Sequence, residues 1–460
     1  FEVNYTNNYH SFFNDTYYTN VTGQPDYVYT RNSSHTHKTT VYNANYRRKF
    51  DKNGHFLEFD YNLNKNNNLL PATDYEDGVL LFDEHQNNKN TLQAFIVDYS
   101  LPITDKTNLE TGFSWNKKNL NSYHCFNPNG GIANTDSFDY TENLLGIYGL
   151  IKFKTGKFNW QTGLRYEHFT SDSENTANNL NTDLKFSNLF PSVHLSYQPN
   201  DKNTFAIGYS KRVSRPNFHH INPFRMGNQY FQWNANPNLK PEFSDNFDLN
   251  YQNDGDKFNW SASLFYRNRI DVIQWLQTIN TNGVRIISLN NIGKKHSYGI
   301  ETNARYKLTK HWTSELNANY YYTNVDQEVN FTWTKLYSSN IIFKNTFKII
   351  KSISADITYR YTPKRQSEFS YTQPRSRLDL AVRAKFMDNR LTTNFRIVDV
   401  LDNNLRTSFL KTPDVIQKEV WKFQSQTFGW MFSLNYKLFE NKGKTRKRKQ
   451  RNNNHGGATD

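Results

Sequence analysis

Residues 158–168 read Phe-Asn-Trp-Gln-Thr-Gly-Leu-Arg-Tyr-Glu-His, and this stretch shows the pattern that decides the fold. Phe158, Trp160 and Leu164 fall on one face of an extended chain, while polar residues such as Gln161 and Arg165 fall on the other. Successive side chains of a β-strand point to opposite faces, so a period of two predicts a strand with one apolar and one polar face. The stretch therefore predicts a strand that separates an apolar environment from a wet one.

The same alternation returns from near the start of the chain to near its end. It is clear over residues 300–308, 353–361, 378–386 and 428–438. Counting such segments predicts about eighteen strands, one of them a fragment at the start. We place the others near residues 38–50, 55–64, 91–100, 107–117, 140–154, 158–170, 184–198, 203–213, 241–252, 257–270, 296–308, 311–325, 333–347, 352–362, 375–387, 390–401 and 419–438.

The lengths of these strands and of their connections separate two all-β architectures. A soluble sandwich buries the apolar faces of two sheets against each other, whereas a membrane barrel turns its apolar face to lipid and its polar face to a wet lumen. The predicted strands run about ten to fifteen residues, enough to cross the hydrocarbon layer. Short turns alternate with long polar connections, which is typical of outer-membrane barrels. The long connections are predicted at 65–90, 118–139, 171–183, 214–240, 271–295, 363–374 and 402–418.

One of these connections contains a turn signal of its own. Asn282-Gly283 is a favourable two-residue hairpin turn. We therefore expect residues 272–291 to extend a hairpin on the extracellular side.

The composition excludes several other classes of protein. Hydrophobic residues make up 36% of the 460 residues and aromatic residues 16%, and no run approaches the eighteen or more apolar residues of a membrane helix. The single cysteine, Cys125, excludes an internal disulfide framework. The formal net charge is +14, to which the basic segment 442–451 contributes strongly. The aromatic residues follow apolar strand faces rather than a basic platform, so we predict no nucleic-acid binding.

The segment between residues 189 and 243 resembles the barrel of TonB-dependent receptors. It contains Leu-Phe-Pro-Ser-Val-His-Leu-Ser-Tyr (189–197), Ile-Gly-Tyr-Ser-Lys-Arg-Val-Ser-Arg-Pro (207–216), Ile-Asn-Pro-Phe (221–224) and Asn-Pro-Asn-Leu-Lys-Pro-Glu (236–242). This combination resembles the outer-membrane β-barrel subgroup common in Bacteroidota, over about residues 90–440. The residues that carry the resemblance are Arg215, Pro216, Asn222, Pro223, Phe224, Asn236, Pro237, Asn238, Leu239, Pro241 and Glu242.

The resemblance implies a fold and a function. The expected fold is an antiparallel transmembrane β-barrel of about 18 strands, forming the C-terminal part of a 22-strand barrel. The expected function is energised uptake of a scarce nutrient, such as a siderophore, cobalamin, a glycan or a peptide, without covalent chemistry. The plug and the TonB box of such receptors do not appear in the sequence. We expect residues 1–440 to form an N-terminally incomplete barrel and residues 441–460 a basic, disordered periplasmic tail.

The resemblance also implies a cellular location and a set of partners. These are the cell outer membrane and its lipid, the TonB energy-transducing complex acting through the missing plug, the barrel-assembly machinery and a surface lipoprotein. Two alternatives remain open at this point. The chain could form a plugless porin-like channel, or a secreted glycan-binding β-protein.

Several residue groups invite a chemical interpretation that the sequence does not favour. The motif prolines fix backbone angles in a long loop, although the motif could also contact a plug or a ligand. His35 with His37, or His194 with His219 and His220, lack the further ligands of a metal site, and we interpret them as surface-loop histidines. The carboxylates on polar strand faces are explained by a hydrated lumen. We therefore predict no enzyme activity, no cofactor and no metal.

Overall fold

The computed structural model of the protein describes residues 1–18, 26–129, 131–176, 180–222, 226–227, 231–279, 284–326, 331–411, 416–421 and 428–438. These residues are almost entirely β-structure, apart from one helical turn, α1, at Phe218–Ile221. No helix in this described part is long and apolar enough to cross a membrane.

The strands follow the chain in an almost unbroken series. They are β1 Glu2–Tyr18, β2 Tyr27–Lys49, β3 Phe56–Glu76, β4 Val79–Thr104, β5 Thr107–Pro128, β6 Asn134–Thr155, β7 Phe158–Asn175, β8 Leu180–Asn200, β9 Asn203–Ser214, β10 Met226–Gly227, β11 Phe231–Asn234, β12 Glu242–Asp254, β13 Phe258–Ile279, β14 Arg285–Lys307, β15 Trp312–Val325, β16 Lys335–Lys348, β17 Ile353–Thr362, β18 Arg365–Gln366, β19 Ser370–Thr372, β20 Arg375–Phe386, β21 Leu391–Val398, β22 Arg406–Lys411, β23 Ile416–Trp421 and β24 Gly429–Tyr436.

One antiparallel meander dominates the fold. Each of its long strands pairs with the long strands before and after it in the chain, from β1 to β24. The sheet has 20 strands, and without the short β10 and β11 it has the eighteen that the sequence predicts. No pairing joins β1 to β24 within the described residues. Four short strands, β18, β19, β22 and β23, form a second sheet.

The two faces of the large sheet differ as the alternation predicts. On β7, Leu164 on the apolar face is 50% exposed, whereas Glu167 on the polar face is 8% exposed. The exposed face continues around the sheet with residues such as Ile207, Leu249 and Ile300. Apolar residues on the outside and polar residues on the inside reverse the order of a soluble sandwich, in which the apolar faces meet. The secreted-sandwich alternative is therefore wrong, and the arrangement is that of a membrane-spanning barrel.

The short turns lie where the sequence places them, and local chemistry explains them. At the β2–β3 turn, the Asp51 carboxylate accepts hydrogen bonds from the backbone N–H groups of Asn53, at 2.8 Å, and His55, at 3.1 Å. Gly54 has a φ of 104°, a conformation that an L side chain rarely adopts. These contacts close the turn in a few residues.

Several predicted long loops are instead continuations of the strands. The pairing of β3 with β4 runs on to a turn at Asp77 and Gly78, and residues 118–128, 134–139, 171–175 and 180–183 also lie in strands. The hairpin extension predicted for 272–291 is confirmed on both of its strands, while Asn282 and Gly283 lie outside the described residues. The predicted loops at 363–374 and 402–418 contain the second sheet. Beyond the bilayer both faces of a strand are wet, so these segments lack the apolar alternation that marks a membrane strand.

The assignment of the faces can be tested on β14. Replacing Ile300, on the exposed apolar face, with arginine should reduce the free energy of unfolding by about 2–4 kcal/mol, because a guanidinium then faces lipid near the bilayer centre. Asn303→Arg is the matched control, because Asn303 lies on the opposite, polar face of β14. Urea unfolding of the chain folded into lipid vesicles measures both. Equal losses in the two variants would contradict the assignment.

Candidate functional site

The barrel wall is tallest along β2–β8 and again along β13 and β14, with the shorter β9 and β12 between these two parts. The strands of the two tall parts run 18 to 26 residues, whereas about nine to eleven residues cross a membrane. The excess lies at the end opposite to the short turns, which we call the outer mouth. Short turns face the periplasm in outer-membrane barrels, so the outer mouth faces the exterior.

The described parts of the connection between β9 and β12, residues 215–222, 226–227 and 231–241, fold back onto the inner surface of this mouth. Ile221 in its helical turn packs with Leu120, Phe138 and Tyr140 of β5 and β6, and all four side chains are buried. At its other end, β11 pairs in parallel with residues 285–288 of β14. The connection therefore spans from one part of the tall wall to another, and part of it lies inside the mouth.

An ion pair fixes the start of this connection. The Arg215 guanidinium donates a hydrogen bond to the Glu167 carboxylate, and both side chains are largely buried. Arg165 Nε lies 2.6 Å from the other oxygen of Glu167. The Arg215 guanidinium also lies over the rings of Phe169 and Phe186, 5.4 and 5.6 Å from their centres. One carboxylate thus balances two arginines on the lumen face of the wall.

The 236–242 segment is held mainly by contacts to backbone groups. Asn236 Nδ2 donates to the carbonyl oxygen of Leu289 at 3.0 Å, and its Oδ1 accepts from the N–H of Asn238 at 2.9 Å. The Glu242 carboxylate accepts from the N–H of Ile273 at 3.1 Å. Leu239 has no exposed surface. These contacts give the segment a structural role in holding the connection against β13 and β14.

The remaining motif residues are placed only in part. Pro216 and Asn222 are buried in the connection, and Pro237 and Pro241 are half-buried. Pro223 and Phe224 lie outside the described residues. The structure thus brings the motif together around one connection. Whether these residues also contact a plug or a ligand stays a prediction.

A second polar network crosses four neighbouring strands at the outer mouth. Arg31 on β2 contacts Asp74 on β3 at 3.3 Å and Glu84 on β4 at 2.5 Å, and His124 on β5 lies 2.9 Å from Glu84. Tyr29 donates a hydrogen bond to Asp74. Burial alone would raise the pKa of Glu84, but hydrogen bonds from His124 and Arg31 hold it below the ordinary value. Sequence reasoning missed this network, because its members lie up to 95 positions apart, from Tyr29 to His124, and are joined only by the strand register.

A packed layer covers another part of the mouth. Lys295 on β14 donates a hydrogen bond to Glu368, and both side chains are buried. The backbone carbonyl of Glu368 accepts from the N–H groups of Thr332 and Trp333 at 3.0 and 3.1 Å. Beside this pair lies an apolar cluster of buried residues from three hairpins: Val272, Ile292, Val325, Phe331 and Phe369. The layer ties residues 331–333 and 367–372 to the tall β13–β14 hairpin.

The lumen near the short turns contains a cavity of about 1110 Å³. Polar side chains such as Glu110, Lys152, Gln161 and Asp248 line it. Higher on the same wall, Tyr148 donates to Asp98 at 2.6 Å across Gly112, where a Cβ atom would come within 2.3 Å of the tyrosine ring. The inner surface thus combines a polar cavity near the short turns with closely packed side chains higher on the wall.

The carboxylates on the strand faces have partners that explain them without catalysis. Glu301 accepts from Tyr321 at 2.6 Å, Glu315 lies 3.2 Å from Arg305, and Asp379 is held between Arg377 and Arg396. A group of three acids, Glu58, Asp60 and Asp98, could hold a cation by its geometry. Its oxygens already contact Arg47, Asn45 and Tyr148. These carboxylates are therefore part of the polar wall.

The predicted histidine groups are rearranged by the structure. His194 lies on β8 beside Gly208, whereas His220 packs against Trp275 in the 215–241 connection. The side chain of His219 lies outside the described part. His35 and His37 lie within β2 and His194 lies within β8, so the loop assignment is wrong for these three histidines.

The fold and its polar lumen define the class of protein: an outer-membrane β-barrel. The family model described as the outer membrane protein β-barrel family matches residues 48–436, and the chain belongs to that family. Membership in this family confirms the outer-membrane location of the protein. It also confirms that the protein is not an enzyme, because the proteins of this family are not enzymes. No curated protein sequence matches the chain.

Solved structures share the fold. The copper transporter OprC aligns with a TM-score of 0.69 and 11% identity, over 94% of this chain and 76% of that protein. The ferric citrate transporter FecA aligns with a TM-score of 0.65 and 11% identity, over 93% and 67%. The ferric yersiniabactin uptake receptor FyuA from Yersinia pestis aligns with a TM-score of 0.60 and 14% identity, over 86% and 60%. The resemblance to receptor barrels is thereby confirmed for the fold, and the chain spans about 60–76% of the length of these proteins.

The balance of charge around Glu167 gives a test of the mouth. Glu167→Gln should reduce the free energy of unfolding by about 3 kcal/mol, because it leaves two largely buried arginines without their carboxylate. Arg215→Met should cost less, about 1 kcal/mol, because the pair between Glu167 and Arg165 survives. Urea unfolding measures both values. If Arg215→Met lost more stability than Glu167→Gln, Arg165 would not share the carboxylate of Glu167.

Proposed function

We propose that the chain forms the barrel of a TonB-dependent receptor that takes up a scarce nutrient across the outer membrane. The observation that carries this proposal is the tall, polar outer mouth with the 215–241 connection folded inside it. A passive pore needs only a wall that crosses the bilayer. Here the wall extends far beyond the bilayer and carries packed polar surface, which suits recognition of a ligand.

The named functions of the similar structures support the same proposal. OprC is a copper transporter, FecA a ferric citrate transporter and FyuA a ferric yersiniabactin uptake receptor. For this chain the nutrient class remains a siderophore, cobalamin, a glycan or a peptide. The barrel supplies a rigid wall and the outer part of the binding site, and the work of transport falls to a plug that the TonB complex pulls. The barrel-assembly machinery and a surface lipoprotein complete the proposed partners.

We further propose that additional strands complete the barrel between β24 and β1. In the part of the chain that the structure describes, β1 pairs only with β2 and β24 only with β21, so one edge of each strand has no partner there. Unpaired backbone groups are costly in hydrocarbon, so both edges need partners. The alternative, a plugless channel of eighteen strands, would pair β24 directly with β1.

Energy dependence separates a receptor from a channel. Cells that carry the protein should accumulate one of a set of labelled probes, ferric siderophores, cobalamin, maltooligosaccharides or oligopeptides, with saturable kinetics. A protonophore should abolish this uptake, since the plug is moved by the proton gradient. A strain without the gene is the control. Uptake that does not saturate and continues after the protonophore indicates the channel, and no uptake of any probe contradicts the receptor.

Cross-linking tests the completion of the barrel. In a Cys125→Ser background, a cysteine at Tyr5 is combined in turn with one at Trp430, Phe432 or Leu434, in the protein in its own outer membrane. No disulfide should form, because a bond requires Cα atoms within about 7 Å. Tyr5 with Thr40, direct partners across β1 and β2, is the positive control. Efficient bonding of any β1–β24 pair would show a closed eighteen-strand barrel.

A further inference from the structure

Three histidines come together on the first hairpin of the barrel. His35 and His37 lie two positions apart on β2, so their side chains share one face of the sheet. His10 on β1 is the direct cross-strand partner of His35. Cross-strand partners have Cβ atoms about 4.5–5.5 Å apart, so the strand register alone places three imidazoles side by side.

The spacing of the rings suits a shared ligand. The ring centres of His35 and His37 are 5.9 Å apart, and those of His10 and His37 are 6.2 Å apart. Three imidazoles whose nitrogens share a zinc ion at about 2.0–2.1 Å have ring centres about 5 Å apart. The ligating nitrogens of the three histidines do not yet lie within 4.8 Å of one another, so the side chains must rotate about χ1 and χ2 to take up an ion.

A neighbouring amide already orients one of the rings. His37 Nδ1 lies 2.9 Å from Oδ1 of Asn68 on β3. With the carbonyl oxygen facing the ring, Nδ1 carries the proton and Nε2 keeps its lone pair. Histidines that bind metals commonly donate their second nitrogen to such an oxygen, which fixes the tautomer and the direction of the ring.

The site faces the lumen and is accessible. His35 and His37 share their face with Arg31, whose partners Asp74 and Glu84 line the inside of the outer mouth. Asp74 and Glu84 balance the positive charge of Arg31, which would otherwise oppose the binding of a cation by the neighbouring histidines. His10 is exposed, whereas His35 and His37 are half-buried.

We propose that His10, His35 and His37 bind a divalent transition-metal ion of the Zn²⁺, Cu²⁺ or Ni²⁺ type, with one coordination position open to the lumen. Neutral imidazole is a preferred ligand of all three ions. Three protein ligands leave a position for water or for a donor atom of an incoming molecule. The site is independent of the transport proposal, since it requires only the β1–β2 register and Asn68.

Metal titration of the whole chain, folded in detergent micelles, tests the site. One Zn²⁺ should bind per chain, and Co²⁺ should give the intense visible absorption of a four-coordinate site. His35→Ala and His37→Ala should each weaken Zn²⁺ binding by at least about tenfold and remove the Co²⁺ band, and Asn68→Ala should weaken it by about tenfold. His85→Ala and His311→Ala, which lie elsewhere on the barrel, are the matched controls.

The outcomes separate a site from adventitious binding. If His35→Ala, His37→Ala and Asn68→Ala bind Zn²⁺ as the wild type does, the proposal is wrong. It is also wrong if the control variants lose Zn²⁺ binding to the same extent. Heat-dependent electrophoretic mobility reports whether each variant has folded as a barrel. Where an alanine variant fails to fold, His35→Gln and His37→Gln keep the polar face, and the same loss of the Co²⁺ band is expected.

Discussion

The pairing of backbone groups in an apolar solvent is the constraint on which this structure depends. The hydrocarbon layer offers no water to a free N–H or C=O group, so each crossing strand must bond to a neighbour on both sides. The meander meets this demand with antiparallel pairs between strands that follow each other in the chain. Because the backbone is fixed in this way, each side chain of a crossing strand points either to the lipid or to the lumen. The alternation of apolar and polar residues along 158–168 results from these two side-chain directions.

The lumen face solves a different problem, since it is polar and yet closely packed. A polar side chain there reaches a partner on the next strand or the one beyond, and glycines make room for it. A Cβ at Gly112 would collide with Tyr148, and one at Gly299 would come within 2.2 Å of the Phe265 ring. A Cβ at Gly146 would lie 3.1 Å from Arg165, which accompanies Glu167. Small residues on the inner face thus permit the cross-strand contacts that satisfy the charged ones.

The sequence predicts the membrane part of the barrel well and the part beyond it poorly, for one physical reason. Within the bilayer only one face of a strand is wet, and apolar residues mark the other, as Ile300 and Leu164 do. Beyond the bilayer both faces are wet, so an Asn-rich strand such as residues 62–68 resembles a loop in composition. The partners of Arg215 and of Arg31 could not be predicted either. They depend on the register between strands, which a single sequence does not fix.

The unequal height of the wall explains where the second sheet lies. The strands of the large sheet after β14 are short, 8 to 14 residues: β15, β16, β17, β20, β21 and β24. The connections between these strands form β18, β19, β22 and β23. They contact the tall β13–β14 hairpin through the ion pair between Glu368 and Lys295. From the other side, the 215–241 connection reaches β14 as well. The β13–β14 hairpin therefore supports both the second sheet and the 215–241 connection, and a shift in it would move both.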